Sequence, residues 1–175
     1  MTKFFSTLLL LLPLWAGATD LEIRAAEIVG YGIFDATNVR HSRGFTPNAI
    51  AKDAVRGIRF IDYTTDIAAV KGRNFGFQYV INSTPAGKPI DVTSVVKFPA
   101  GGLKRPNGKV YHESKDRHQV KLGRKALHGY GFDEDWEIVP GEWIFEVRHR
   151  GALIIKKSFN VYLPEGEEGQ AIASD

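Results

Sequence analysis

Apolar and polar residues alternate with a period of two along most of this chain, the pattern of strands that bury one face. Leu21, Ile23, Ala25, Val29, Tyr31 and Ile33 fall on one side of a predicted first strand, and Ile58 with Phe60 marks a second. Phe75, Phe77, Tyr79 and Ile81 alternate with Gly76, Gln78 and Asn82 in a third, and Ile90, Val92, Val96 and Phe98 make a fourth. Another strand is predicted around Leu127 to Phe132. The clearest element is a C-terminal hairpin. Trp143, Phe145 and Val147 face one way, Arg150-Gly151 reverses the chain, and Leu153, Ile155, Phe159 and Val161 return along the partner strand.

The breaks between these runs carry turn chemistry. After the Gly/Pro-rich stretch 99–106, Asn107-Gly108 reads as a type I′ turn in a hairpin with polar, edge-like strands. Thr46-Pro47 to Arg56, followed by Gly57, has the cap, the first-turn proline and the terminal glycine of a helix. Residues 164–175 are acidic and aperiodic, which predicts a disordered tail. Many short strands with few helices predict an all-β fold. We expect an antiparallel immunoglobulin-like β-sandwich of about seven to eight strands over residues 19–163, with a barrel as the alternative. Glu27 and Lys157 interrupt the apolar faces of the first and last strands. Either they pair with each other inside the sandwich or each reaches solvent past a strand end.

The N-terminus departs from this pattern. Lys3, the apolar run from Phe4 to Leu14 and the small-x-small sequence Ala16-Gly17-Ala18 predict a cleaved export signal over residues 1–18. Pro13 and Thr19-Asp20 close the run before it reaches the roughly 20 apolar residues of a membrane span. Removing 18 of the 175 residues leaves 157, enough for one domain with its own core. The chain has no cysteine, so disulfides, thiolate metal sites and a cysteine nucleophile are excluded. An exported domain held without disulfides points to a bacterial periplasmic or secreted protein with no transmembrane anchor after cleavage.

Two segments carry a family resemblance. Ile67 to Phe77 contains Gly72 and the triplet Phe75-Gly76-Phe77. Trp136-Glu137-x-x-Pro140-Gly141-x-Trp143-x-Phe145 continues to Lys157-x-Phe159-x-Val161. Together they resemble the bacterial family called domain of unknown function 3859, over roughly Leu21 to Leu163. The resemblance implies a bacterial exported domain and supplies no catalytic residues.

The candidate chemistry is sparse. No Gly-x-Ser-x-Gly run occurs, so a serine hydrolase would need a triad assembled from scattered residues. His112, His118 and His128 fall in one stretch, but their spacings fit no compact zinc motif and they read as surface histidines. Asp133-Glu134-Asp135 with Glu137 lacks the alternating Asp/Asn pattern of a calcium loop and reads as a solvated corner. Charge is more informative. Lys104, Arg105, Lys109, Lys115, Arg117, Lys121, Arg124 and Lys125 stand against Glu113 and Asp116, a local excess of six in a chain of net charge +3. Such a stretch suits a polyanion, or it is an edge kept charged against sheet-to-sheet aggregation. Tyr111 is the one aromatic residue interleaved there, so specific nucleic-acid recognition is not expected. The expected function is non-catalytic binding of an envelope protein or an anionic surface polymer, with no catalytic residue, metal or cofactor assigned. The alternative is an envelope hydrolase or metal-dependent enzyme with a dispersed site.

Overall fold

Two β-sheets face each other in the computed structural model, which describes residues 23, 25–36 and 57–165. The expected signal segment 1–18, the helix of 46–56 and all but the first two residues of the expected tail lie outside the described residues. The strands are β1 (Ala25–Ala36), β2 (Ile58–Asp62), β3 (Asp66–Ala68), β4 (Asn74–Asn82), β5 (Pro89–Lys97), β6 (Leu103–Lys104), β7 (Val110–Tyr111), β8 (Glu113–Lys121), β9 (Lys125–Gly131), β10 (Gly141–His149) and β11 (Ala152–Tyr162). One sheet has the order β2-β1-β4-β9 and the other β3-β11-β10-β5-β8, with β6 and β7 forming a separate ribbon. Every pairing is antiparallel except β3 with β11, which is parallel. The sandwich is therefore as expected, with nine strands in its two sheets among the described residues.

The inner face of β4 meets those of β10 and β11. Phe75 is fully buried, with its ring centroid 5.8 Å from Trp143, 5.5 Å from Phe145 and 5.4 Å from Phe159. Edge-to-face contacts of this kind add to the burial of large apolar surfaces. The Trp143 indole N–H donates to the Val139 carbonyl at 2.9 Å, so burial leaves no orphaned donor. Of the aromatic residues that carry the family resemblance, Phe75, Phe77, Trp143, Phe145 and Phe159 are core residues, and Trp136 packs against the core partly buried.

Gly76 explains why the triplet needs a glycine. It lies in register with Gly32 on β1 and Gly129 on β9, at φ +154°. A Cβ there would stand 2.3 Å from the His128 carbonyl oxygen, closer than any real contact. The row of glycines also admits Phe34, whose ring reaches the site a Cβ on Gly129 would occupy.

Three sequence expectations are corrected. A bulge in β1 shifts the register against β4 between Ile28 and Gly30, leaving Val29 as the extra residue. The bulge reverses which parity faces inward, because one residue flips a strand face. Ala26 and Ile28 pack on the core before it, and Tyr31 and Ile33 after it, so Ala25 and Val29 are exposed. For the same reason Glu27 points to solvent and accepts a hydrogen bond from Asn82, while Lys157 lies over the Tyr31 ring. Of the two alternatives, the internal pair is not formed, and Glu27 reaches solvent. At Asn107-Gly108 only the glycine has positive φ. Gly108 N–H donates to Arg105 O at 2.9 Å and Arg105 N–H to Lys109 O at 2.8 Å. This is a three-residue loop with Pro106 at the start and glycine in the left-handed position, rather than a type I′ turn. Positive φ at both central residues occurs instead at Arg150-Gly151, between β10 and β11.

Candidate basic face and cleft

Strand β8 is an edge strand, and its alternation sorts its charges. Glu113, Lys115, Arg117, Gln119 and Lys121 face solvent, while Ser114, Asp116, His118 and Val120 turn inward. Lys115 pairs with Glu113. Arg117 stands opposite Thr93 on β5, and Thr93 stands opposite Arg148 on β10. Further along this outer face Glu146 is buried among cations, 2.6 Å from Lys97 and 2.7 Å from Arg148. Burial pushes the Glu146 carboxyl up, but these ion pairs outweigh it and hold the group below the ordinary carboxylate range. Glu146 therefore offsets one of the two cationic charges at the centre of the face.

The cationic excess collects at one end. A cleft of about 390 Å³ opens between the start of β5, Arg117 of β8 and the β10–β11 turn. Lys88, Arg117 and Arg150 line it with Asp91, Thr93 and His149. Its walls are joined by hydrogen bonds to two β5-side carbonyls. Leu122, fully buried in the β8–β9 turn, donates its N–H to Lys88 O at 3.0 Å. His149 donates from Nδ1 to Asp91 O at 2.7 Å, joining the hairpin turn to β5 where the main-chain pairing of β5 and β10 has ended. With Nδ1 donating, His149 Nε2 is buried without a hydrogen-bond partner.

The basic stretch expected from the sequence is thus divided. Lys115, Arg117 and Lys121 share the outer side of β8, and Arg124 and Lys125 are exposed at the β8–β9 turn. Lys104 and Lys109 are exposed on the β6–β7 ribbon. Arg105 is half-buried between the rings of Tyr111 and Trp136, 5.2 Å from each, where it serves packing. Sequence reasoning misses the fold-dependent partners, because Lys88, His149 and Arg150 are far from β8 along the chain. The run Arg148-His149-Arg150 is a visible basic cluster, but beside Gly151 it reads only as a turn.

The other candidates dissolve into structure. His128 is buried between Phe77 and Phe145, with Nε2 donating to the Val95 carbonyl at 3.0 Å. Desolvation lowers its pKa to about 4, so it is a neutral core histidine and not the surface residue expected. His118 turns inward beside Asp116, its Nδ1 3.4 Å from the carboxylate, and His112 is exposed. Ser94 stands opposite Asp116, but its buried hydroxyl has no hydrogen-bond partner, so no base is in place to take its proton. Glu137 is fully buried and accepts bonds from Tyr130 Oη at 3.0 Å and from the amides of Asp133 and Glu134, both at 2.9 Å. It clamps the acidic corner and its adjoining 3₁₀ turn, Asp135–Glu137. Among the described residues no group of three or more His, Asp or Glu side chains is placed to hold a metal ion. Nor is any described helix long and apolar enough to cross a membrane.

Comparison with solved structures supports the fold. An immunoglobulin-like protein from Pseudomonas aeruginosa, PA1606, matches 83% of this chain and 99% of its own, at 24% identity and a TM-score of 0.59. Weaker matches are an alkylpurine DNA glycosylase from Pseudomonas fluorescens (12% identity, 55% of this chain, 26% of that one, TM-score 0.33) and a β-D-glucoside glucohydrolase from Trichoderma reesei (5%, 78%, 19%, 0.34). Scores this low carry no argument. No curated protein matches the sequence. The family model for domain of unknown function 3859 (DUF3859) matches residues 22–161, and the chain belongs to that family.

Proposed function

We propose that the chain is an exported, non-catalytic binding module that receives an anionic envelope polymer on the outer face of its five-stranded sheet. The observation that carries this is the continuity of Lys115, Arg117 and Lys121 along β8 with the cleft of Lys88 and Arg150. Lys121 stands opposite Pro89, itself part of the cleft wall, so the row runs into the cleft. Cations gathered from β8 and from two connecting turns raise the local concentration of a polyanion, with affinity falling as salt rises. Export rests on the segment from Lys3 to Ala18, and exported protein is expected to begin at Thr19 on N-terminal sequencing.

Heparin is a suitable probe polymer. The protein should be retained at low salt and elute as sodium chloride rises. The triple variant Lys115→Glu, Arg117→Glu, Lys121→Glu should elute well before wild type, and Lys104→Glu with Lys109→Glu should shift less. Retention that ignores both salt and the triple change would reject the reading.

A further inference from the structure

We propose that the cleft between Lys88, Arg117 and Arg150 is a binding site for a phosphomonoester group. The inference rests on the anion-binding reading of the face but assigns this end of it a specific chemistry. Three cations and one carboxylate, Asp91, line the cleft, an excess of two Lys/Arg charges over carboxylates. A phosphomonoester carries about −1.5 to −2 at neutral pH and presents three acceptor oxygens. One guanidinium group comes from β8 and the other from the β10–β11 turn, so they can approach such a group from two sides, where a planar carboxylate would be served by one. Lys88 adds a point charge and Thr93 a hydroxyl donor. Arg117 and Arg150 each already make an interaction within the fold, so the site works by charge and donor density around a formed space. That space, about 390 Å³, lies in the range of small-molecule sites, roughly 300 to 1,000 Å³. Two hydrogen bonds, from the His149 side chain to the Asp91 carbonyl and from Leu122 N–H to the Lys88 carbonyl, hold the walls together.

Calorimetric titration of the full chain with glucose 6-phosphate, inorganic phosphate and glucose tests this. Saturable binding of a phosphorylated probe and none of glucose is expected. Arg117→Ala and Arg150→Ala should each weaken binding about tenfold or more, and Lys109→Ala should leave it unchanged. Equal affinity for the two phosphates would identify free phosphate as the ligand source, and tighter binding of the sugar phosphate a phosphorylated glycan; both support the site. No saturation by either phosphate up to about 10 mM, or binding indifferent to both arginine changes, overturns it. Heparin retention without phosphate binding would defeat the cleft alone, and phosphate binding without retention would defeat the polymer reading alone.

Discussion

Lys157 on β11 places its Nζ 3.8 Å from the centroid of the Tyr31 ring on β1, so a cation–π contact bridges the two sheets. The charge is half-buried against an aromatic face, and the nearest sequence candidate for a carboxylate partner, Glu27, points the other way. Lys157→Met keeps the aliphatic stem and removes the charge. It should cost about 0.5 to 2 kcal/mol in urea unfolding. A loss above about 3 kcal/mol would show instead that a buried carboxylate had been left unpaired.

His128 makes stability depend on pH. Its folded pKa, lowered to about 4 by burial, lies below its unfolded value of 6.5. Between those values the unfolded state binds the proton more readily, so stability is full above about pH 6.5 and falls as pH drops toward 4. The full loss is on the order of 3 kcal/mol. Glu146, held low by Lys97 and Arg148, acts in the same direction below its own unfolded value. His128→Phe fits the same aromatic surroundings and should flatten the denaturation midpoint across the upper window, leaving the fall at lower pH. An unchanged slope between pH 6.5 and 4 would assign the effect to another group.

The glycines separate conformational strain from collision. At Gly72 φ is +81° and a Cβ would have nothing within 4 Å, whereas at Gly76 a Cβ would be driven into the β9 backbone. Gly72→Ala should cost about 1 kcal/mol, the strain of a left-handed conformation. Gly76→Ala should cost more than about 3 kcal/mol or abolish folding, since neither β4 nor β9 can move without breaking the glycine row. Similar melting temperatures for the two variants would contradict this.

Legibility in the sequence follows the range of the contacts involved. In β4 and β10 the inward residues are large and apolar and their alternation survives in the sheets, whereas in β11 it survives only from Ile155 on, because a register shift against β10 leaves Leu153 exposed. In β1 a single bulged residue, Val29, moves Glu27 from the expected interior to the surface, and nothing in the local pattern marks where the extra residue falls. The short β3 escapes a sequence reading because its pairing is a parallel contact with β11, more than 90 residues along the chain, as Asn160 with Asp66 shows. The cleft is illegible for the same reason. Local charge singles out Arg117, but Lys88 and Arg150 join it only once β5 lies between β8 and β10.

Glu137 provides the last test, because its role is structural despite being a buried acid. Burial raises its pKa, and the bonds from Glu134, Tyr130 and Asp133 oppose that rise. Its two oxygens divide the work: Oε1 accepts from Tyr130, and Oε2 accepts both backbone amides. Glutamine can keep this arrangement, with its oxygen on the amides and its amino group turned to the Tyr130 hydroxyl oxygen. Alanine leaves three donors without an acceptor at the start of the 3₁₀ turn. Glu137→Gln should therefore cost under about 1.5 kcal/mol, and Glu137→Ala about 3 kcal/mol or more. Phosphate and heparin binding should be unaffected by Glu137→Gln, since the residue lies outside the cleft and the outer face of β8. Loss of either binding in a variant that still unfolds cooperatively would place Glu137 in the functional site after all.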